Sequence, residues 1–493
     1  MNLYLNGCGK YPAEQALLTF FPGERPEYPE GEPQGERCEI NVAMRNERIM
    51  CTCLLVRGGR AYRSRASMDH SHIVDEVTRE RYTGRVVKLA FFRAAVASGI
   101  PYPEWGCLTG VRPVKLVEGY LREGMTPAGA RGRFMREYYV SKRRATLSVA
   151  AAKASLDADR SLGERDVCLY VGIPFCPTRC AYCSFVSQSV EKSLGLVEPY
   201  LEALEREISA TAEAVGRAQL RPVALYIGGG TPTTLSAGQL DRLCAQLERS
   251  FDLSALREYT VEAGRPDTIT ADKLAALRAH GVKRLSVNPQ TMSDPVLSAI
   301  GRRHTAKDIE NAMSLVRSAG RFEVNMDLIA GLQTDTAEGF ADSLERVLAF
   351  NPDNITIHTL AVKRGSRLHA EGAEQLPAPE EVERMLSGAM NRLTAARYEP
   401  YYLYRQKYMS GGFENVGWTK PWRASLYNIC IMEELRSIIA MGAGGSTKLI
   451  APGGRLERLH NPKYPREYLD RLDDTIRSHG TFLRLLRETE DLQ

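Results

Sequence analysis

The chain has 493 residues, of which 43% are hydrophobic and 25% charged, and its formal net charge is +5 at pH 7. This composition is ordinary for globular proteins, and the length predicts two or three domains. No apolar run approaches the length of a membrane span, and the N-terminal stretch MNLYLNGCGKYPAEQ is unlike a secretory signal. We therefore expect a cytoplasmic protein in which the 11 cysteines do not form a disulfide framework. The mild charge is compatible with an anionic ligand and does not predict nucleic-acid binding.

Residues 1–160 are predicted to form an N-terminal α+β unit whose function the sequence does not indicate. Three short runs separated by turn-forming residues predict strands, namely CEINVAM, IMCTCLLV and AYRSRAS. Helices are predicted over about 73–98 and over about 128–159, with an irregular stretch rich in Gly and Pro between them. The basic pair Arg143 and Arg144 is interpreted as part of a solvated helix face.

A different pattern runs from residue 165 to residue 365. Six apolar segments alternate with helical patterns: VCLYVGI, VALYIGG, EYTVEAG, KRLSVNP, FEVNMDLIAG and NITIHTLAV. Such alternation predicts a parallel sheet, and six units fall short of the eight in a closed TIM barrel. The predicted fold is therefore α/β, with a partial (β/α)6 TIM-like barrel whose functional residues lie at the C-terminal strand ends. Residues 366–493 are predicted to be a mainly helical C-terminal domain.

Three cysteines lie on one short loop after the first barrel strand. They are Cys176, Cys180 and Cys183, in the spacing Cys-x-x-x-Cys-x-x-Cys. A 4Fe–4S cluster usually takes four cysteines, so three thiolates would leave one iron open to a substrate or cofactor. A zinc site would need a fourth Cys or His nearby, and the closest His is far away in sequence. Coincidental buried cysteines are the other alternative, which their close spacing disfavours.

The cysteine loop also resembles a known family. CPTRCAYC is similar to the signature of the radical S-adenosylmethionine superfamily, and YVGIPFCPTRCAYCSF with YIGGGTPTTL resembles the oxygen-independent coproporphyrinogen III oxidase family. SVNPQTM, YLYRQKYMSGGFENVGW and IIAMGAGGSTK resemble its HemZ (coproporphyrinogen dehydrogenase) branch. The resemblance covers about residues 167–448. It implies the same partial barrel, a 4Fe–4S cluster on the three cysteines, and S-adenosylmethionine on the open iron.

The resemblance further implies which residues bind S-adenosylmethionine. Glu262 would pair with its ammonium or sulfonium charge, Asp327 would contact ribose hydroxyls, and Ala361 would pack near adenine. Gly229 and Gly230 would let backbone N–H groups approach its carboxylate. The other positions matched to the cofactor site are Tyr170, Tyr182, Thr231, Gln290 and Arg302. For each residue the alternative is a structural role, as a cap, a salt bridge or ordinary barrel core.

By resemblance, the activity is oxidative decarboxylation of two propionates of coproporphyrinogen III to vinyl groups, which gives protoporphyrinogen IX. The implied partners are this porphyrinogen and an electron donor such as flavodoxin or ferredoxin, without nucleic acid or a membrane span. A tetracarboxylate substrate needs cations, and the candidates are Arg265, Arg364, Arg367, Arg405 and Lys407.

Two alternatives for the function stay open. The oxidases of the family carry a fourth cysteine where Phe185 stands here, and a haem chaperone branch also lacks that cysteine. The chaperones, however, carry a His-Asn motif where this chain has YLYRQKYMSGGFENVGW. A radical enzyme acting on RNA would often carry a basic nucleic-acid module, and the N-terminal unit shows no recognised RNA motif.

Overall fold

The computed structural model describes residues 1–69, 75–184, 188–189, 193–363, 365–371, 376–406, 410–450 and 455–488. The chain forms two compact units, Met1–Val149 and Ala150–Gln493. The boundary between them falls within the helix Lys142–Arg160.

The first unit contains a four-stranded sheet in the order β1-β2-β3-β4 among its described residues. Its elements are β1 (Asn2–Asn6), α1 (Lys10–Phe20), β2 (Arg37–Arg45), β3 (Arg48–Arg57), β4 (Arg60–Asp69), α2 (Glu76–Ala97), α3 (Pro113–Arg122), α4 (Pro127–Tyr138) and α5 (Lys142–Arg160). β1 is parallel to β2, whereas β2, β3 and β4 are antiparallel. Alternate residues of β3, from Ile49 through Cys51 and Cys53 to Leu55, are buried, as expected for a strand with one covered face.

The three strands predicted in this unit are present, and β1 is an additional strand. The predicted helix over 128–159 is two helices, because Tyr139 has a left-handed conformation (φ 59°) that ends α4. α3 begins at Pro113 within the stretch predicted to be irregular, since proline is well suited to a first helical turn. The interpretation of Arg144 as solvated is wrong: its side chain is 1% exposed and lies 3.6 Å from the Glu104 carboxylate.

The second unit contains an open sheet with eleven strands among its described residues. The six strands predicted from sequence are β5 (Asp166–Ile173), β8 (Arg221–Gly229), β9 (Glu258–Glu262), β10 (Arg284–Ser286), β11 (Glu323–Ala330) and β12 (Asn354–Thr359). All six are parallel and adjacent, so the predicted partial barrel is confirmed. The intervening helices are α6 (Val197–Arg217), α7 (Ala237–Ser250), α8 (Ala271–Ala279), α9 (Asp294–Ala299), α10 (Ala306–Ser318) and α11 (Ala337–Ala349).

The C-terminal region adds strands at both edges of this sheet, which the sequence analysis did not predict. β15 (Ile438–Met441) pairs in parallel with β5, and β16 (Ser446–Ile450) and β17 (Leu456–His460) follow it in antiparallel pairing. At the other edge, β14 (Glu414–Thr419) is antiparallel to β12, and β13 (Glu399–Arg405) is antiparallel to β14. The strand order of the sheet is therefore β13-β14-β12-β11-β10-β9-β8-β5-β15-β16-β17 among the described residues. Most of the region's regular structure is helical: α12 (Arg367–Glu371), α13 (Pro379–Ala395), α14 (Leu426–Glu433), α15 (Pro465–Asp470) and α16 (Leu472–Glu488).

Burial explains why the barrel strands were recognisable. In β5 every residue is buried except Tyr170, which is partly exposed. Parallel strands covered on both faces are near-continuous apolar runs, and such runs stand out in a sequence. A further pair of two-residue strands, β6 (Phe175–Cys176) and β7 (Gln188–Ser189), lies at the cysteine loop. None of the helices among the described residues is long and apolar enough to cross a membrane.

A buried carboxylate links α6 to the C-terminal region. Glu207 is fully buried and accepts hydrogen bonds from the Gly442 N–H at 2.7 Å, the Tyr468 hydroxyl at 2.5 Å and Asn461 Nδ2 at 2.8 Å. Burial raises the pKa of Glu207 above its ordinary value, although these donors oppose the shift. Gly442 follows β15 directly, so Glu207 fixes the turn between β15 and β16.

Glu207→Ala should lower the free energy of unfolding by about 3 kcal/mol or more, because several buried donors lose their acceptor at about 1–3 kcal/mol each. Chemical denaturation monitored by circular dichroism measures this change. The control is Glu213→Ala on the same helix, because the Glu213 side chain is 68% exposed and its ion pair is with the exposed Arg217. That pair should contribute less than about 1 kcal/mol. Equal losses in both variants would contradict the role given to Glu207.

Candidate functional site

The cysteine loop follows the C-terminal end of β5. Cys176 ends the short strand β6, and its sulfur accepts a hydrogen bond from the Thr231 hydroxyl at 3.4 Å. The Cys183 N–H donates to the Cys180 carbonyl at 3.2 Å, which closes a tight turn between the second and third cysteines. Cys180 is buried, whereas Cys176 and Cys183 are partly exposed.

Two buried arginines hold this loop from the barrel side. Arg265, which is 3% exposed, donates from Nη2 to the Thr178 carbonyl at 2.7 Å and lies 3.5 Å from the Cys180 sulfur. Arg302, which is 8% exposed, donates to the Tyr182 hydroxyl at 3.3 Å. Burial by itself would raise the pKa of the Cys180 thiol, but Arg302, Arg265 and a hydrogen bond from Tyr182 together outweigh burial and lower that pKa below its ordinary value. The thiolate, which is the form that binds metal, is therefore favoured.

Backbone contacts tie the loop to two helices. The Ala181 N–H donates to the Ile300 carbonyl next to α9, and the Ala181 carbonyl accepts from Leu368 in α12, both at 3.0 Å. Arg179 donates to the Gly365 carbonyl at 2.7 Å. Residues far apart in sequence thus fix the loop that carries the three cysteines.

The glycine turn after β8 packs directly against the start of the cysteine loop. A Cβ atom on Gly230 would lie 2.5 Å from the Phe175 carbonyl, so only glycine fits this approach. The N–H groups expected to face a carboxylate already have protein partners. Gly230 donates to Ile173, Thr231 to Phe175, and Gly229 to the Glu262 carboxylate. In this structure the turn therefore positions the loop and Glu262.

Glu262 ends β9 and faces the barrel interior. Its carboxylate accepts from the Tyr226 hydroxyl at 2.7 Å and from the Gly229 N–H at 3.1 Å. Burial raises the pKa of Glu262 to about 7, and nearby Asp327 acts in the same direction. A buried carboxyl group in this condition gains from a cationic ligand, which would favour its charged form.

Three stacked tyrosines lie beside Glu262. The Tyr226 ring is 4.5 Å from the Tyr427 ring at an interplanar angle of 20°, and Tyr170 is stacked near both, with ring centroids 6.2 Å and 6.4 Å away. Tyr170 and Tyr226 are opposite each other in the register of β5 and β8. Tyr427 comes from α14, so the C-terminal region contributes to the barrel interior.

Asp327 is held in its charged form on β11. Asn325 Nδ2 donates to it at 2.8 Å, and His358 Nε2 lies 3.7 Å away. Burial alone would raise the pKa of Asp327, but His358, Asn325 and Thr356 outweigh burial and lower it. Asp327 lies within its strand rather than at the predicted strand end.

Gln290 adjoins Asp327 through the backbone. The Gln290 N–H donates to the Asp327 carbonyl at 2.9 Å, and its φ of 70° is unusual for a non-glycine residue. Its side chain is 8% exposed, and Oε1 has no hydrogen-bond partner among the described residues. Buried oxygens are normally paired, so Gln290 fits a ligand-binding position.

The remaining predicted positions divide into three groups. Tyr182 packs against an apolar cluster that includes Ile300 and Leu368, and Ala361 follows β12 in a half-buried position. Among the candidate substrate cations, Arg265 contacts the cysteine loop, Arg405 donates to the Gly412 carbonyl, and Arg367 is exposed. Arg364 and Lys407 lie outside the described residues, as does Phe185.

The side chains fit an iron–sulfur cluster and S-adenosylmethionine. The loop supplies three thiols, of which Cys180 is biased toward thiolate. The interior supplies Glu262, whose pKa is about 7, and the Gln290 Oε1 atom, which lacks a hydrogen-bond partner among the described residues. In the described part of the chain, no three His, Cys, Asp or Glu side chains converge to hold one metal ion. A cluster does not require such convergence, because each cysteine would bind a different iron.

Comparison with known proteins identifies the family. The sequence model of the radical SAM superfamily matches residues 170–347. The oxygen-independent coproporphyrinogen-III oxidase-like protein HemZ of Bacillus subtilis is 38% identical over 375 residues, or 75% of each chain. The chain belongs to the radical SAM coproporphyrinogen oxidase family, in its HemZ branch. Members of this superfamily use a 4Fe–4S cluster and S-adenosylmethionine, and these are the cofactors of this chain.

Two further proteins, HemN and HemW, are also similar to this chain. The structure of coproporphyrinogen III oxidase (HemN) from Escherichia coli, described as a radical SAM enzyme, matches with a TM-score of 0.50 and 26% identity. That match covers 66% of this chain and 73% of HemN. The heme chaperone HemW of Haemophilus influenzae is 27% identical over 61% of this chain and 75% of its own length.

Sequence reasoning missed several residues that shape the site. Tyr226 and His358 lie on predicted barrel strands. Tyr226 is two residues from Gly228, which also faces Glu262, and His358 is two residues from Thr356, which also faces Asp327. That period of two could have identified them. Tyr427 and the contact of Arg265 with Cys180 had no such signal, because both depend on segments brought together only by folding.

Cys180→Ala should abolish assembly of the 4Fe–4S cluster, because the remaining two thiolates cannot hold three irons. Iron and sulfide content after anaerobic reconstitution measures the loss. Cys8→Ala is the control, since Cys8 is a partly exposed cysteine of the first unit, far outside the loop in sequence. Full iron content in Cys180→Ala would remove this residue from the ligand set.

The predicted pairing of Glu262 with the cation of S-adenosylmethionine requires loss of a proton from a group whose pKa is about 7. Affinity for S-adenosylmethionine should therefore increase as the pH rises from 6 to 8. In Glu262→Gln the affinity should be weaker at pH 8, and the part of the pH dependence due to Glu262 should vanish. Calorimetric titration of both proteins measures this, and titration of the ligand's own amino group cancels in the ratio of their dissociation constants. The same pH profile in both proteins would rule out a contact with Glu262.

Proposed function

We propose that this chain is a radical SAM enzyme that converts two propionate side chains of coproporphyrinogen III to vinyl groups without oxygen, giving protoporphyrinogen IX. The similarity to HemZ, 38% identity over three quarters of both chains, is the observation that carries the proposal. The likeness to HemN, a coproporphyrinogen III oxidase, supports the same substrate class.

In the proposed site, Cys176, Cys180 and Cys183 hold three irons of the cluster. When bound, the cluster and S-adenosylmethionine supply one electron and a carbon radical that takes a hydrogen atom from the propionate β-carbon. The substrate radical would then lose carbon dioxide and pass one electron to a one-electron acceptor. Each vinyl group formed would therefore use one S-adenosylmethionine and release one methionine and one 5′-deoxyadenosine. The electron for each cleavage comes from a one-electron donor, for which flavodoxin and ferredoxin are the candidates.

The interior side chains orient S-adenosylmethionine in this proposal. Glu262 pairs with its positive charge, and Asp327, held ionised by His358, accepts hydrogen bonds from the ribose hydroxyls. Gln290 offers to the same ligand its Oε1 atom, for which the described residues provide no hydrogen-bond donor. The assignment of Asp327 agrees with its lowered pKa, because an acceptor of two hydroxyl donors should be charged.

The stacked tyrosines shield the interior in this proposal. Tyr226 stacks on Tyr427 and donates a hydrogen bond to Glu262, so aromatic surface lies beside the proposed cofactor site and would limit access of water to a reactive radical. Arg367 is the exposed cation of α12, the helix that also anchors the cysteine loop, and we assign it to a substrate carboxylate.

A second candidate function is haem binding without turnover. The 27% identity to the heme chaperone HemW, over 75% of that protein, favours it. The chain shares the absence of a fourth cysteine in the loop with that branch, because Phe185 occupies the position.

The reconstituted protein, incubated anaerobically with a reductant, S-adenosylmethionine and coproporphyrinogen III, should form protoporphyrinogen IX with two 5′-deoxyadenosines per product. Liquid chromatography with mass spectrometry measures both products. Cys183→Ala, which should lack the cluster, is the control and should give neither.

Haem binding without turnover would give a different result in these measurements. Tight, stoichiometric haem binding seen by absorption spectroscopy, with no porphyrinogen consumed, would replace the decarboxylase proposal with the chaperone one. 5′-Deoxyadenosine formed without any change in the porphyrinogen would point to another substrate.

A further inference from the structure

Two guanidinium groups converge on the middle cysteine of the loop. Arg265 Nη2 lies 3.5 Å from the Cys180 sulfur, and the charge of Arg302 also acts on this thiol. Both arginines are buried, and so is Cys180, so solvent screens these interactions only weakly. Arg265 is one of the five candidate cations for substrate carboxylates, but in the structure its side chain contacts the cysteine loop.

The position of Arg265 is fixed by its other contacts. Nη2 donates to the Thr178 carbonyl at 2.7 Å and to the Thr178 hydroxyl at 2.9 Å. Pro266 follows directly and begins a short 3₁₀ turn, Pro266–Thr268, whose last hydroxyl donates to the Arg265 carbonyl at 2.8 Å. The arginine is therefore held at both its backbone and its side chain, beside one sulfur.

In the part of the chain that the structure describes, no acidic side chain pairs with this positive charge. Among the described residues, neither Arg265 nor Arg302 forms an ion pair with a carboxylate. His304 lies near both arginines and is 6% exposed, and burial together with their charges lowers its pKa to about 3. His304 is therefore neutral at pH 7 and adds no charge of its own.

We propose that Arg265 is a tuning residue that raises the reduction potential of the iron–sulfur cluster, through its charge and its hydrogen bond to the Cys180 sulfur. Reduction adds one negative charge to the cluster. A buried cation and an N–H donor beside a ligating sulfur stabilise that added charge. The inference rests on the proposed ligand Cys180 and does not depend on the substrate.

A purely structural role for Arg265 predicts something different. If the residue only secured the loop through Thr178, its loss would lower the amount of cluster assembled. The clusters that did assemble would keep their potential. The potential of the assembled cluster therefore separates tuning from loop support.

The test is a redox titration of the reconstituted full-length protein, without S-adenosylmethionine or porphyrinogen, followed by electron paramagnetic resonance. In Arg265→Met the equilibrium constant for reduction should fall about tenfold, which corresponds to about 59 mV for one electron. Arg265→Lys, which keeps the charge, should shift by less. Arg303→Met is the control, because it removes the same charge from an exposed neighbour of Arg302 and should leave the potential nearly unchanged.

If Arg265→Met fails to assemble a cluster, Arg265→Gln replaces it, since the amide can still donate to the Thr178 carbonyl. A potential lowered in the neutral variant, and largely restored in Arg265→Lys, supports tuning by Arg265. A potential equal to that of the unaltered protein, or shifted no more than in Arg303→Met, overturns it. Because no substrate is present, failure of the decarboxylation assay would leave this result intact.

Discussion

The parallel register between β5 and β8 is the constraint on which the site depends. It sets Tyr170 opposite Tyr226 and Ile173 opposite Gly229, so both strands end at the same level. The backbone after β8 can then pass so close to Phe175 that a side chain at Gly230 would collide with it. A slip of one residue would turn the Tyr226 hydroxyl away from Glu262 and move the glycine turn off the cysteine loop.

The two interior carboxylates illustrate how neighbours divide roles between similar groups. Glu262 has one hydroxyl and one backbone donor, and burial dominates, so its pKa is raised. Asp327 has His358, Asn325 and Thr356 around it, and together they outweigh burial. One acid is thus left needing a cation, whereas the other is already stabilised as an anion. This asymmetry suits a ligand that carries both positive charge and hydroxyl groups.

The C-terminal region contributes a strand to the barrel sheet and a side chain to the barrel interior. β15 extends the parallel sheet beyond β5, and Tyr427 stacks inside the barrel. Tyr200 on α6 connects β5 to the turn after β15. Its hydroxyl donates to the Gly172 carbonyl at 2.5 Å and accepts from the Ala443 N–H at 2.9 Å. The same ring packs edge-on against Phe175, one residue before Cys176. The cysteine loop is therefore supported from the C-terminal side as well as from β8.

The sequence by itself determined the six parallel strands, the cysteine loop and the family, because these features are local. Apolar runs that are buried on both faces can be recognised in the amino-acid sequence, and so can the spacing of Cys176, Cys180 and Cys183. The strands β13 to β17 were not predicted, because their own segments do not alternate with helical patterns. They are strands because they pair with the edges of the barrel sheet or with each other.

Only the tertiary structure decided how the site is held together and charged. Arg265 is 85 residues from Cys180 in sequence, and Tyr427 is 201 residues from Tyr226. No local pattern records such contacts, because they arise when separate strands and helices pack into one interior. The pKa values follow the same rule, since burial and neighbouring charges exist only in the folded chain.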